Sequence, residues 1–387
     1  MKNSHLISQT IRDMPPSGIR RFFDVAQTMK DVVSLGTGEP DFATPWHIRE
    51  EAIFSLERRR TAYSENAGLL ELRREIARYM TGFGLKYDAD TEVLVSVGAS
   101  EDIDIALRAI IDPGDEVLLV EPCFVAYRPC VVMAGGVPVT IATAADNDFC
   151  VTSADIERRL TKKTKAVILS YPCNPTGATL ERSQLEEIAA VLRDRDLVVI
   201  SDEIYAELTY GVSHTSIASL PGMAEKTIVI NGFSKAFAMT GWRLGFACGP
   251  ADLIAAMTKI HQYVLMCAPT VAQYAGIVAL RDGADDVEKM RKEYDGRRRF
   301  MLNGLREMGI ECFEAKGAFY LFPSIKKYGL TSEEFCDRLL HEARLAVVPG
   351  TAFGAAGEGH IRCCYAYSIE NIREALSRLR RFVESQF

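Results

Sequence analysis

Between residues 91 and 250 the chain alternates short apolar runs with stretches whose apolar residues recur every three or four positions. The runs fall at 93–97, 116–120, 137–141, 166–169, 197–200, 227–230 and 244–248. Most are dominated by Val, Ile and Leu at consecutive positions, the pattern of a strand buried on both faces. Intervening segments such as 182–193 carry the helical spacing, and Asp112-Pro113-Gly114-Asp115 punctuates one helix-to-strand passage. The pattern predicts an α/β fold with a mainly parallel seven-stranded sheet flanked by helices.

After about residue 283 the pattern changes to a long charged helix near 285–308, strands near 318–322 and 345–348, and a closing helix near 369–383. The change predicts a second, smaller α/β domain. A length of 387 residues with 48% hydrophobic positions suits two domains and a large core. No internal repeat or low-complexity tract interrupts it.

Charge and cysteine usage narrow the function classes. With 45 basic and 52 acidic residues the net charge is −7, which offers no global attraction to nucleic acid. The runs Arg58-Arg59-Arg60 and Arg297-Arg298-Arg299 stand in charge-mixed helical surroundings and read as solvated faces. The 10 cysteines show no paired Cys-x-x-Cys spacing and read as small core residues of a reducing compartment. Cys363 and Cys364 lie near His360, but adjacent residues of a strand point to opposite faces, so no metal site is expected. Residues 1–8 lack an apolar signal core, and no stretch of about 18 apolar residues is available to span a bilayer. A cytoplasmic protein that does not bind membranes is expected.

The chemistry lies where the apolar runs end. Gly98-Ala99-Ser100-Glu101 follows the first run and opens a helical stretch at 102–111. Asn174-Pro175-Thr176-Gly177 follows the fourth run, Ser201-Asp202-Glu203-Ile204-Tyr205 the fifth, and Ser234-Lys235 the sixth, with Arg243 eight residues beyond Lys235. An open α/β sheet binds its ligand at the carboxyl ends of its strands. A lysine that is to attack a carbonyl must sit in a desolvated or electropositive pocket, because an ordinary ammonium is no nucleophile. With a hydroxyl before it and an arginine after it, Lys235 suits a cofactor bearing both an aldehyde and a phosphate, which is pyridoxal phosphate. Taken singly, each residue has a plainer reading: a solvated lysine, an aspartate capping a helix, an Asn-Pro turn, a packed tyrosine. Their order along the chain distinguishes them.

In that order the chain resembles the class I/II aminotransferases, fold-type I pyridoxal-phosphate enzymes. The resemblance runs from Ser34-Leu35-Gly36-Thr37-Gly38-Glu39-Pro40-Asp41-Phe42 to Gly359-His360-Ile361-Arg362 and is strongest to the prokaryotic aromatic, aspartate and aminotransferase A-like subgroup. It implies a large cofactor-binding domain at 45–283 and a discontinuous small domain formed by 1–44 and 284–387. It also implies roles for residues. Lys235 is the tether and base, and Asp202 is the partner of the ring nitrogen. Asn174 and Tyr205 donate to the phenolic oxygen, and Phe124 stacks on the ring. Ala99, Ser100, Ser234 and Arg243 hold the phosphate, joined by Tyr63 from the neighbouring subunit of a homodimer. Arg362 takes the substrate carboxylate with Gly38 and Asn174 beside it, and Tyr320 lines the side-chain pocket.

The implied reaction moves an amino group between an L-amino acid and a 2-oxo acid such as 2-oxoglutarate by a ping-pong route. Aromatic amino acids are the first expectation, with aspartate and N-acetylated diaminopimelate as alternatives. A carbon–sulfur β-lyase shares the same motifs and stays open. A regulator built on this scaffold needs a DNA-binding module, and about 30 residues before Ser34 are too few for a winged-helix domain. No residue is singled out for a second carboxylate of the substrate, although Arg20 and Arg21 carry suitable charge.

Overall fold

The structure, a computed structural model, describes residues 4–16, 18–19 and 29–386. Arg20 and Arg21 lie outside the described residues. Seven strands form the main sheet: β2 (Val93–Ser96), β3 (Glu116–Glu121), β4 (Val137–Ala142), β5 (Thr164–Ser170), β6 (Val198–Asp202), β7 (Thr227–Gly232) and β8 (Gly245–Cys248). Their spatial order is β2-β8-β7-β6-β5-β3-β4. All pairings are parallel except those of β8, which runs antiparallel to both β2 and β7. The seven apolar runs are these seven strands.

Alternation along each strand sends successive side chains to opposite faces. In β5, Val167 and Leu169 pack under the helix Arg182–Leu192, whose Leu185, Ile188, Ala189 and Leu192 face inward at helical spacing. Ala166 and Ile168 of the same strand pack on the other face with Ile103 and Leu107 of the helix Ala99–Ile110. Both faces are therefore dry, which is why the strand reads as an unbroken apolar run rather than an alternating one. Each buried Val, Leu or Ile among them contributes about 1.5–3 kcal/mol relative to exposure. The edge strand β4 has an exposed first residue and mostly half-buried successors, as its outer position requires.

The remaining strands are short and join distant parts of the chain. β1 (Val33–Ser34) pairs in parallel with β10 (Leu345–Ala346). β11 (Val348–Pro349), β12 (Ile361–Cys364) and β9 (Tyr320–Leu321) form a three-stranded antiparallel sheet in that order. The expected strand at 345–348 is thus split between two sheets. The long helix Ala284–Glu307 and the closing helix Ile369–Gln386 pack on this region, around buried Tyr294, Phe319, Phe335 and Leu379. Cys363 and Cys364 occupy adjacent buried positions of β12. No helix among the described residues is long and apolar enough to cross a membrane.

Candidate active site

A cavity of about 260 Å³ opens at the carboxyl ends of β5, β6 and β7. Its walls contain Gly38, Ala99, Ser100, Phe124, Asn174, Asp202, Tyr205, Ser234, Lys235, Arg243, Tyr320 and Arg362, every residue singled out from the sequence except Tyr63. The parallel register explains the convergence. Ser170, the last residue of β5, lies opposite Asp202, the last of β6, and Asp202 lies opposite Ile230 in β7. Asn174, four residues beyond the end of β5, and Lys235, three beyond the end of β7, emerge on the same edge.

Lys235 donates from Nζ to the carbonyl of Gly38 at 2.8 Å. Burial pushes its amine down to about 8, a shift to which Arg362 and Arg243 add by repulsion. The aromatic rings of Phe319 and Tyr205 stand 5.6 and 5.9 Å from the nitrogen and complete the dry surroundings.

Asp202 is 4% exposed. Its Oδ2 accepts from the Tyr127 hydroxyl at 2.6 Å and its Oδ1 from the Ile204 amide at 3.2 Å. Burial pushes the carboxyl up from its ordinary value, and these two donors pull it back. The Ile204 contact is the turn-capping role open to any aspartate, yet the residue also faces the cavity, so one function does not displace the other.

The anion-binding end is built from backbone. Gly98 precedes the helix Ala99–Ile110 with φ of +112°, a conformation L side chains avoid, and a Cβ there would meet Arg243 Nη2 at 2.8 Å. The chain thus brings the guanidinium against the helix start, where first-turn amides and the dipole favour an anion. Arg243 itself holds a φ of +53°, and its Nη1 donates to the Thr240 carbonyl at 3.0 Å. A non-glycine residue in this region costs about 1–2 kcal/mol, strain of the kind that collects at functional sites.

At the opposite end Arg362, 2% exposed, donates from Nη1 to Asn174 Oδ1 at 2.8 Å and from Nη2 to the Gly36 carbonyl. Its Nε is buried without a partner among the described residues. Its guanidinium lies 4.4 Å from the centre of the Tyr320 ring, and the Tyr320 hydroxyl is 2.8 Å from that of Tyr205. Burial drives both phenols up. Because Asn174 presents its oxygen to Arg362, its amide nitrogen remains as a donor. At Gly38 a Cβ would stand 2.1 Å from the Tyr320 hydroxyl, so only glycine lets this backbone approach.

Sequence reasoning did not single out Tyr127, Ser170, Thr37, Thr240, Ile19, Ile103 or Ile204, which also line the cavity. Tyr127 carried one signal: it stands three residues after Phe124 at the start of the helix Tyr127–Met133. Tyr63 is 81% exposed and does not line this cavity.

Residues 30–379 match the family model of aminotransferase class I and II. The chain belongs to that family. It is 48% identical over 375 residues to an aspartate aminotransferase of Pyrococcus abyssi, covering 96% of each chain. It is 44% identical over 384 residues to aromatic-amino-acid aminotransferase 2 of Thermococcus litoralis, covering 98% of this chain and 99% of that one. The crystal structure of an aromatic aminotransferase from Pyrococcus horikoshii superposes with a TM-score of 0.90 at 47% identity, covering 94% of this chain and 99% of that one. The chain is an enzyme that transfers an amino group between an amino acid and a 2-oxo acid.

Proposed function

We propose that this aminotransferase binds pyridoxal phosphate in the cavity described and passes the amino group of an aromatic L-amino acid to 2-oxoglutarate in a ping-pong cycle. The observation that carries the reading is the meeting, in one cavity, of a lysine amine held down to about 8, a buried carboxylate, and an arginine at each end. The residues fit the cofactor: Gly98 leaves a cradle beside Arg243 for a phosphate, and Arg362 Nε is an orphaned donor awaiting an anion. When bound, pyridoxal phosphate supplies an aldehyde for amines and a protonated ring that takes up the electrons left by a departing α-proton.

The protein's own groups do the rest. Asp202 stands as the anionic partner of the ring nitrogen and keeps it protonated. The Tyr205 hydroxyl and the Asn174 amide would donate to the phenolic oxygen, and Phe124 would cover the ring. Ala99 and Ser100 amides, the Ser234 hydroxyl and Arg243 hold the phosphate. Arg362, with Gly38 and Asn174 beside it, would orient the substrate carboxylate so that Lys235 Nζ could take up the α-proton as general base and, as the ammonium, hold it for return to carbon as general acid.

The choice of an aromatic side chain rests on the apolar lining by Ile19, Phe124, Ile204 and Tyr320. Among the described residues, the lining cations are Lys235, Arg243 and Arg362, each already given a role. Similarity to an aspartate aminotransferase favours aspartate as the second candidate. Assaying a panel of amino donors against 2-oxoglutarate decides between them: phenylalanine and tyrosine should give the highest kcat/KM, and a preference for aspartate or N-acetylated diaminopimelate overturns the choice. Pyruvate formed from cystathionine without an oxo acid would instead reveal β-lyase chemistry.

We take residues 45–283 as the cofactor-binding domain, and 1–44 with 284–387 as the small one, a division supported by the pairing of β1 with β10. A homodimer is also proposed. Trp46, Phe54 and Leu56 on one helix, and Tyr263 and Val264 on another, are exposed apolar side chains of the kind that mark an interface. Tyr63 is tied to the second region, because the neighbouring Ala62 and Asn66 bond Thr270 and Met266. From there its hydroxyl is assigned to the phosphate of the partner's site. A cytoplasmic location accords with ten cysteines that all stand unpaired.

A further inference from the structure

The carboxylate beneath the cavity is gripped at both oxygens, and one of the two grips comes from a residue with no other polar task toward the site. Tyr127 is 1% exposed, and its ring packs edge-on against Phe124 with centroids 5.7 Å apart. Its hydroxyl donates to Asp202 Oδ2 at 2.6 Å, while Oδ1 is held by the Ile204 amide. The donors come from different elements, the helix Tyr127–Met133 and the turn after β6, so the carboxyl plane cannot rotate without losing one of them. The Ser170 side chain at the end of β5 also acts on the Tyr127 phenol, easing its ionisation against the burial that opposes it.

We propose that Tyr127 is a positioning residue whose phenol holds the Asp202 carboxylate in one orientation and in its charged form. This rests on the reading of Asp202 as the ring-nitrogen partner.

The choice of a phenol has a physical reason. The charged groups acting on Asp202 are mixed: Lys235 attracts it, whereas Glu203 beside it raises its proton affinity, and Asp102 in the helix Ala99–Ile110 feels its charge. Cys173, three residues past the end of β5, feels it too. Glu203 is committed elsewhere, accepting from Ser201 and Ser216 and pairing with His214 at 2.9 Å. A buried carboxylate among acids needs a donor to stay ionised. A cationic donor would cancel the negative charge the cavity is to offer, whereas a phenol supplies a short charge-assisted bond and leaves the full charge available.

Tyr127→Phe and Asp202→Asn, compared with wild type, test the proposal. Pyridoxal phosphate binding would be followed by absorbance, and kcat by steady-state assay, from about pH 5 to about pH 9. Tyr127→Phe keeps the ring packing and loses the donor. Without it the carboxyl titrates higher, so the charged form is lost earlier as pH falls. The acid limb of both profiles should move up by about one pH unit, with cofactor binding about tenfold weaker near neutrality. A residue that only packs the core would lower the melting temperature and leave the limb in place. If Tyr127→Phe leaves both the limb and the cofactor affinity unchanged while Asp202→Asn loses at least about a hundredfold in turnover, the Tyr127 role is refuted and the Asp202 reading stands. If Asp202→Asn stays within about threefold of wild type, the Asp202 reading fails and this proposal with it. Should Tyr127→Phe not fold, Ser170→Ala removes only the hydroxyl that acts on the Tyr127 phenol. It should move the limb in the same direction by a smaller step, and no movement would overturn the proposal.

Discussion

Asp202, Asn174 and Lys235 reach the cavity from the ends of parallel strands of five to seven residues, whereas Arg362, Tyr320 and Gly38 come from strands of two or four residues and the loop after β1. The first wall is fixed by one ladder: each strand end is set by its neighbour's register, and both faces of the sheet are dry. The second wall is fixed by contacts between distant segments. β1 lies on β10, β12 lies between β9 and β11, and Arg362 ties Asn174 to Gly36 across the gap. The first wall holds the groups assigned to proton and electron movement, and the second holds those assigned to recognition. The two should separate in kinetics.

The largest effect is expected on the first wall. Lys235→Ala removes the amine that both tethers and acts as base, and turnover should fall about ten-thousandfold. Amino-acid binding through Arg362, read by equilibrium titration, should survive. Retention of substantial turnover would break the division at once. On the second wall, Arg362→Lys keeps the charge but loses the planar fork, so KM for the amino acid should rise by about ten- to a hundredfold with a smaller change in kcat. A loss confined to kcat would mean that Arg362 serves the chemistry instead.

A third test reads the dryness of the first wall directly. With an amine held at about 8, the rate at which the apoprotein captures pyridoxal phosphate should rise about tenfold per pH unit below that value and level off above it. A rise continuing to the ordinary lysine range, about pH 10, would show Lys235 to be solvated. The smallest effect belongs to Tyr63, which lies on neither wall of its own chain. Tyr63→Phe should cost several-fold in turnover, about the worth of one partly solvated hydrogen bond. Mixed with Lys235→Ala it should form hybrid dimers in which one site carries both defects and the other neither, returning activity up to the statistical share of intact sites. A verified hybrid without any gain would confine Tyr63 to packing.

The contrast between the walls also explains what could be read in advance. Strands buried on both faces announce themselves as apolar runs, and a ligand site at their carboxyl ends follows from the architecture, so Asp202, Asn174 and Lys235 were visible as polar residues ending such runs. Arg362 and Tyr320 had no comparable signal from the residues themselves. Their strands are too short for a period to show, and only resemblance to a family singled them out. The antiparallel course of β8 was equally hidden, because a buried strand has the same composition in either direction. Tyr127 was missed for another reason: a buried tyrosine is ordinary, and its hydroxyl gains meaning only when Asp202, 75 positions away, is brought to its tip.

What this sequence determined by itself was therefore local and periodic: seven strands, most of them buried on both faces, the helices that cover them, the turns between, and the residue types waiting at the strand ends. Side-chain periodicity and backbone preferences act over a few residues, and they leave their mark wherever both faces of an element meet the same environment. What only the tertiary structure decided was which distant groups share a hydrogen bond and which charges share a dry cavity. The lowered Lys235 amine, the doubly held Asp202 and the bridge from Arg362 to Asn174 and Gly36 arise from burial and distance, quantities that exist only once the chain has closed on itself.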